Sequence, residues 1–132
     1  GDDAMTLTIT AIYASILALI ILALAVNVTA HRVKLKVSLG DGGNPRMLRM
    51  IRLHANAVEY IPLALVLMAV YEIAGGWPTA LHVIGIALVA GRLIQTFAMW
   101  PTDVAGAGRS IGQSLTWLSI AALAVLNLAK VV

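Results

Sequence analysis

Four apolar stretches, each long enough to cross a lipid bilayer, constrain the fold of this chain more than any other feature. A transmembrane helix needs about 20 predominantly apolar residues. Short polar or turn-rich segments separate the four stretches, which cover residues 7–30, 55–74, 78–99 and 111–132. The sequence therefore predicts an all-α integral membrane protein, a four-helix bundle with helices over about residues 6–36, 45–74, 78–99 and 107–131.

Composition agrees with a chain whose main solvent is lipid. Hydrophobic residues make up 61% of the 132 residues and charged residues 11%, whereas soluble domains carry about 25% charged residues. We interpret residues 1–4 as a remnant of cloning and residues 5–132 as a single domain that starts at Met5. The first apolar stretch is too long for a signal peptide and has no basic segment before it.

The basic residues are concentrated in or beside two of the three loops. By the positive-inside rule, loops 1 and 3 are expected to face the cytoplasm, with both termini on the other side. The residues concerned are Arg32, Lys34, Lys36, Arg46, Arg49, Arg52, Arg92 and Arg109. The net charge of +3 is thus explained by topology and by lipid headgroups, which are expected partners, and nucleic acid is not an expected partner.

Polar residues in the second helix form a stripe. Arg49, Arg52, Asn56 and Glu59 are spaced by three, four and three residues, which places them on one face of a helix. Charged groups near the bilayer centre cost at least about 2.5 kcal/mol, so they face the bundle interior or a watery cleft. Guanidinium groups outnumber carboxylates here, which indicates an anionic or zwitterionic ligand, such as a small peptide with free carboxylates and an amine.

Structural roles remain open for the same residues. Arg52 and Glu59 can be an ion pair that joins two helices, and Asn56 can be an interhelical hydrogen bond. Glu72 near the end of the second helix is expected to be an interface anchor, as is its neighbour Tyr71. The two histidines His54 and His82 stand apart from any second metal ligand, so no metal site is predicted.

The run from Arg52 to Pro62 resembles the signature of the MAPEG superfamily, the membrane-associated proteins in eicosanoid and glutathione metabolism. The shared features are an arginine, an asparagine four positions later, a glutamate three further on, and a nearby proline in the second helix. Gly91-Arg92 and Arg109-Ser110 match as well. The resemblance covers nearly the whole chain and is greatest to small members of the bacterial inner membrane.

The resemblance implies a homotrimer that binds glutathione as co-substrate in clefts between subunits. It also implies a transferase or peroxidase that acts on hydrophobic small-molecule electrophiles. The implied glutathione-binding residues are Arg32 from an adjacent subunit, Arg52, Asn56, Glu59, Tyr60, Arg92 and Gln95, and the implied catalytic residues are Arg109 and Ser110. One departure is Met99, which stands where family enzymes commonly have a tyrosine, so thiol activation is expected to depend on Arg109.

Two other classes of function are compatible with four short spans. The first is a small proton-coupled multidrug exporter, although proteins of that group carry a membrane glutamate in the first helix and this chain has no acidic residue there. The second is a non-catalytic membrane scaffold, which predicts that no ligand binds in the clefts. Substrate-driven proton flux in liposomes separates the first from an enzyme, and glutathione binding separates the second.

Overall fold

The computed structural model describes residues 6–101 and 106–132, and four helices account for most of these residues. Each helix is long and apolar enough to span a membrane, which confirms the predicted all-α membrane fold. The helices are α1 (Thr8–Leu35), α2 (Pro45–Ile73), α3 (Pro78–Met99) and α4 (Ala107–Val131). Residues 1–4, interpreted above as a cloning remnant, lie outside the described residues.

The turn between α1 and α2 is determined by local sequence. α1 ends at Leu35, and the left-handed backbone of the next residue, Lys36 (φ 59°), lets the Val37 N–H reach the Arg32 carbonyl at 3.0 Å. Asn44 caps α2, because its side-chain oxygen accepts a hydrogen bond of 3.1 Å from the Met47 N–H. Pro45 occupies the first turn of α2, where its missing N–H costs nothing. The cap and the proline together determine where α2 begins.

The helices α3 and α4 pack closely because glycines lie at their crossing. A Cβ atom added to Gly112 would lie 2.5 Å from the Gly91 carbonyl oxygen and 2.6 Å from the Gln95 Cβ. Small residues allow such backbone contact between helices in lipid. Gly112 and Ser119 are buried, as expected for packing residues, whereas Ser114 is exposed. This crossing fixes the start of α4 beside the end of α3.

At the end of the bundle opposite the basic loops, polar groups of different helices bond to one another. The carboxylate of Glu72 accepts hydrogen bonds from the backbone N–H groups of Ile9 (3.0 Å) and Thr10 (2.8 Å) in the first turn of α1. The hydroxyl of buried Tyr71 accepts from the Trp77 N–H at 3.1 Å. Both residues therefore join helix ends, a role that the sequence does not indicate, and their predicted role as interface anchors stays a prediction.

Candidate functional site

Three arginines line one cleft at the basic end of the bundle. The cleft has a volume of about 160 Å³ and lies where the start of α2, the end of α3 and the start of α4 meet. Its described lining consists of Pro45, Leu48, Arg49, Arg52, Met99 and Arg109 and contains no acidic residue. A concave surface with this excess of guanidinium groups is suited to an anion.

The local fold explains why these arginines meet. Arg49 and Arg52 are three residues apart on α2, so they lie on one side of that helix. Arg109 lies in the first turn of α4, which the packing against α3 brings to the same place. The Nε atom of Arg49 is buried and has no hydrogen-bond partner among the described residues. A buried donor without a partner is costly, and a bound anion would satisfy it.

Arg52 and Glu59 form an ion pair along the outer surface of α2. Arg52 Nη2 lies 3.3 Å from Glu59 Oε1, and their side chains are 49% and 48% exposed. Because both residues belong to one helix, the pair does not join two helices, and the interhelical alternative for this pair is wrong. Within one chain both side chains point outward, so in a bilayer this surface needs water or another protein surface beside it.

The side chain of Asn56 has its orientation fixed from the interior. Its Oδ1 atom accepts hydrogen bonds from Arg92 Nη1 at 2.6 Å and from Gln95 Nε2 at 3.4 Å. A guanidinium group only donates, so the carbonyl of Asn56 must face Arg92. The amide nitrogen of half-buried Asn56 then remains as a donor for a group outside the core.

Arg92 and Gln95 lie behind Asn56 and are almost fully buried, with exposures of 2% and 5%. Arg92 Nη2 also donates to Thr116 Oγ1 at 2.8 Å, and Gln95 Nε2 donates to Gln113 Oε1 at 3.4 Å. These bonds tie α2, α3 and α4 together. The sequence places Arg92 and Gln95 in direct contact with a ligand, whereas the structure places them outside the described cleft lining, where they orient Asn56.

Tyr60 of α2 packs against α4, the helix that contains Ser110. The ring of Tyr60 packs edge-on against Trp117 with centroids 6.4 Å apart. Trp117 and Ser110 line a second, wider depression on α4 of about 280 Å³, and Arg109 lines both this depression and the cleft. Ser110 is therefore near Arg109 but outside the described lining of the arginine cleft.

Arg32, which is expected to come from an adjacent subunit, does not line the cleft of its own chain. Its Nη1 atom donates to the carbonyls of Val37 (3.3 Å) and Gly40 (2.8 Å), which closes the turn after α1. Arg32 lines a separate depression together with Lys36, the residue that follows α1. Within one subunit it has a structural role, and any contact with the cleft requires a second subunit.

Sequence reasoning underestimated Arg49. The α2 stripe includes Arg49, whereas the residues implied to bind glutathione do not, although Arg49 lines the cleft and its buried Nε atom has no partner among the described residues. The spacing of three residues between Arg49 and Arg52 was the available signal. Met99, noted above only as a departure from the family, lines the cleft as well.

Comparisons with known proteins agree with this architecture. The model of the MAPEG family matches residues 10–129. The chain is 35% identical over 126 residues to the inner membrane protein YecN of Escherichia coli strain K12, covering 91% of this chain and 90% of that protein. The YecN protein of Escherichia coli O6:H1 gives the same identity and coverage. These matches confirm the resemblance found in the α2 run, and the chain belongs to the MAPEG family of membrane proteins.

Proposed function

We propose that this protein binds glutathione at the arginine cleft and acts as a glutathione transferase or peroxidase on hydrophobic electrophiles. The observation that carries the proposal is the convergence of three arginines on one cleft, with the buried Nε of Arg49 lacking a partner among the described residues. Membership of a family named for glutathione metabolism supports this choice of anion.

The donors and acceptors around the cleft match the groups of glutathione. Its two carboxylates would bind the guanidinium groups of Arg49, Arg52 and Arg109, which favour carboxylates through paired hydrogen bonds. The free amide nitrogen of Asn56 would donate to a ligand carbonyl, and Glu59 would accept from the ligand ammonium. An exposed ion pair is worth under about 1 kcal/mol, so Arg52 can exchange Glu59 for a ligand at little cost.

The site is proposed to be completed by further copies of the chain in a homotrimer. A cleft of about 160 Å³ is smaller than the 300–1,000 Å³ typical of sites that enclose small molecules. Polar side chains on the outer faces of α2 and α4 also need a polar cover within the bilayer. They include Arg52, Glu59, Ser110, Gln113 and Ser114. Arg32 of a neighbouring subunit would supply an additional cation.

The chemistry follows from a thiolate held beside Arg109. The cation would stabilise the deprotonated thiol, and Ser110 would be near enough to assist with its hydroxyl. In a transfer, the sulfur attacks an electrophilic carbon, a C–S bond forms, the leaving group departs with its electron pair and the thiol proton passes to water. In a peroxidase reaction, two glutathione molecules become the disulfide while a hydroperoxide becomes an alcohol and water.

Calorimetry with glutathione on the detergent-solubilised protein tests the site. The variant Arg52→Ala should raise Kd at least about tenfold, because a hydrogen bond to a charged group is worth about 1.5–3 kcal/mol. Arg46→Ala is the matched control, since Arg46 is an exposed arginine of the same helix outside the described cleft lining. Wild-type affinity in both Arg52→Ala and Glu59→Ala would disprove the proposed site.

Turnover distinguishes an enzyme from the scaffold alternative. A chloronitrobenzene and an organic hydroperoxide, each supplied with glutathione, report transfer and peroxidase activity. We expect Arg109→Ala to lower turnover more than it lowers glutathione affinity, because its cation acts mainly on the thiolate. Binding without turnover of either substrate would contradict the enzymatic part of the proposal and leave the glutathione site standing.

A further inference from the structure

A shallow apolar groove runs between α1 and α3, lined by residues other than those of the arginine cleft. Its volume is about 220 Å³. The lining residues on each side have the spacing i, i+3, i+4 and i+7, which forms one stripe about 10 Å long. They are Ile20, Ala23, Leu24 and Asn27 on α1, Leu93, Thr96 and Phe97 on α3, and Trp100 directly after α3.

The groove extends from within the bilayer to the basic end of the bundle. α1 and α3 both run toward that end, because α2 returns between them. Ile20 and Leu93 therefore lie deeper in the membrane, and Asn27 and Trp100 lie nearer the surface. Most of the lining side chains are apolar, and Phe97 among them is 73% exposed.

A histidine at the surface end of the groove holds an arginine in place. His31 lies one turn beyond Asn27, and its Nδ1 is 2.9 Å from the Asn27 carbonyl oxygen. Nδ1 must therefore carry the proton, so Nε2 is free to accept the hydrogen bond of 3.2 Å from Arg46 Nε. The His31 ring packs edge-on against Trp100 with centroids 6.0 Å apart. These contacts place the Arg46 guanidinium next to the end of the groove.

Arg46 remains able to bind an anion in this position. Its side chain is exposed, and in the described part of the chain no hydrogen bond engages its terminal nitrogens Nη1 and Nη2. Two adjacent N–H groups of a guanidinium match two oxygens of a phosphate. The groove thus combines an apolar channel at acyl-chain depth with a cation at headgroup depth.

We propose that the α1–α3 groove and Arg46 form a binding site for an anionic phospholipid of the surrounding membrane. One acyl chain lies along Leu24 and Phe97, and the phosphate binds the Arg46 guanidinium. An anionic lipid suits both parts of the groove, because its acyl chain matches the apolar wall and its phosphate matches the guanidinium.

Native mass spectrometry of the whole detergent-solubilised chain tests the charge requirement. The probes are phosphatidylglycerol and phosphatidylcholine with identical acyl chains. We expect tighter binding of phosphatidylglycerol, and we expect Arg46→Gln to weaken that binding about fivefold, as for one cation near an anionic surface. Lys34→Gln removes an exposed charge from the same end outside the described groove lining, and it should change the affinity by less than about twofold.

A second pair of variants tests the apolar channel. Ala23→Phe places a ring in the groove and should weaken binding of both lipids, whereas Ala18→Phe, at an exposed position of α1 outside its described lining, should leave both unchanged. Equal binding of the two lipids, or equal effects of Arg46→Gln and Lys34→Gln, would overturn the proposal. It would also be overturned if Ala23→Phe retained lipid and instead changed the number of subunits per particle.

Discussion

The two ends of the helix bundle differ in whether their polar side chains are paired within the chain. At the end where α2 meets the start of α1, the carboxylate of Glu72 is bonded to two backbone amides, and Tyr13 and His82 bond each other at 2.8 Å. At the basic end, Arg52 is half exposed and Arg49 Nε is buried without a partner among the described residues.

This difference separates groups that hold the fold together from groups that are available to a ligand. A polar side chain inside a membrane protein is costly unless it is paired, and at the first end Glu72, Tyr13 and His82 are paired between helices. The basic end carries surplus donors whose expected partner is an anion from outside the chain. Substitutions of these polar side chains should therefore change stability at the first end and ligand binding at the basic end.

The largest effect on stability is expected at the backbone contact between α3 and α4, near the basic end. Gly112→Ala places a methyl group 2.5 Å from the Gly91 carbonyl oxygen, which must push α3 and α4 apart. We expect a loss of about 3 kcal/mol in the free energy of unfolding, together with weaker glutathione binding because Arg109 moves with α4. Denaturant unfolding in detergent measures the first effect and calorimetry the second.

Gly106→Ala provides the matched control for that substitution. A Cβ at Gly106 meets no atom of the described residues within 4 Å, so the same chemical change is made without a described contact. It should cost less than about 1 kcal/mol, mostly through the loss of glycine before the helix start. Similar losses for the two variants would mean that the α3–α4 crossing does not limit stability.

A smaller loss of stability is expected when the carboxylate that caps α1 is removed. Glu72→Ala removes the acceptor of two backbone N–H groups and should lower the free energy of unfolding by about 2 kcal/mol, without changing glutathione affinity. Glu59→Ala should show the reverse, with a stability loss below about 1 kcal/mol and weakened binding. Equal stability losses in the two variants would contradict the assignment of stability to the first end and of binding to the basic end.

The smallest expected effect is on the rate of the proposed reaction, not on the affinity for glutathione. Met99→Tyr introduces a hydroxyl at a residue that lines the cleft, and it should raise the rate of thiol transfer at least about tenfold by donating to the thiolate. Met99→Phe is the control of similar size. If the phenylalanine variant gained as much rate as the tyrosine variant, then ring shape and not hydrogen bonding would be responsible.

Sequence reasoning succeeds where a property depends on a single helix. The four spans follow from apolar length alone, and the Asn44 cap follows from local turn chemistry. The common side of Arg49 and Arg52 follows from helical periodicity. None of these features requires knowledge of which helices are neighbours, so a single sequence is sufficient to predict them.

It fails where the role of a residue depends on a distant element. Arg52 and Arg92 are both arginines in apolar helices, yet one is half exposed and the other is buried against Thr116 of α4. Glu72, which caps α1, is 63 positions from Ile9 and 62 positions from Thr10. Periodicity within a helix contains no information about such contacts, since they arise from the way the four helices pack.

The contact between Glu72 and the start of α1 has a consequence for biosynthesis. The amides of Ile9 and Thr10 emerge from the ribosome long before the carboxylate that will accept their hydrogen bonds. Until α2 has been translated through Glu72, that helix tip must remain among water and headgroups, because acyl chains offer it no acceptor. The first two helices are therefore expected to insert into the bilayer together as a hairpin, because α2 supplies the hydrogen-bond acceptor that the start of α1 lacks.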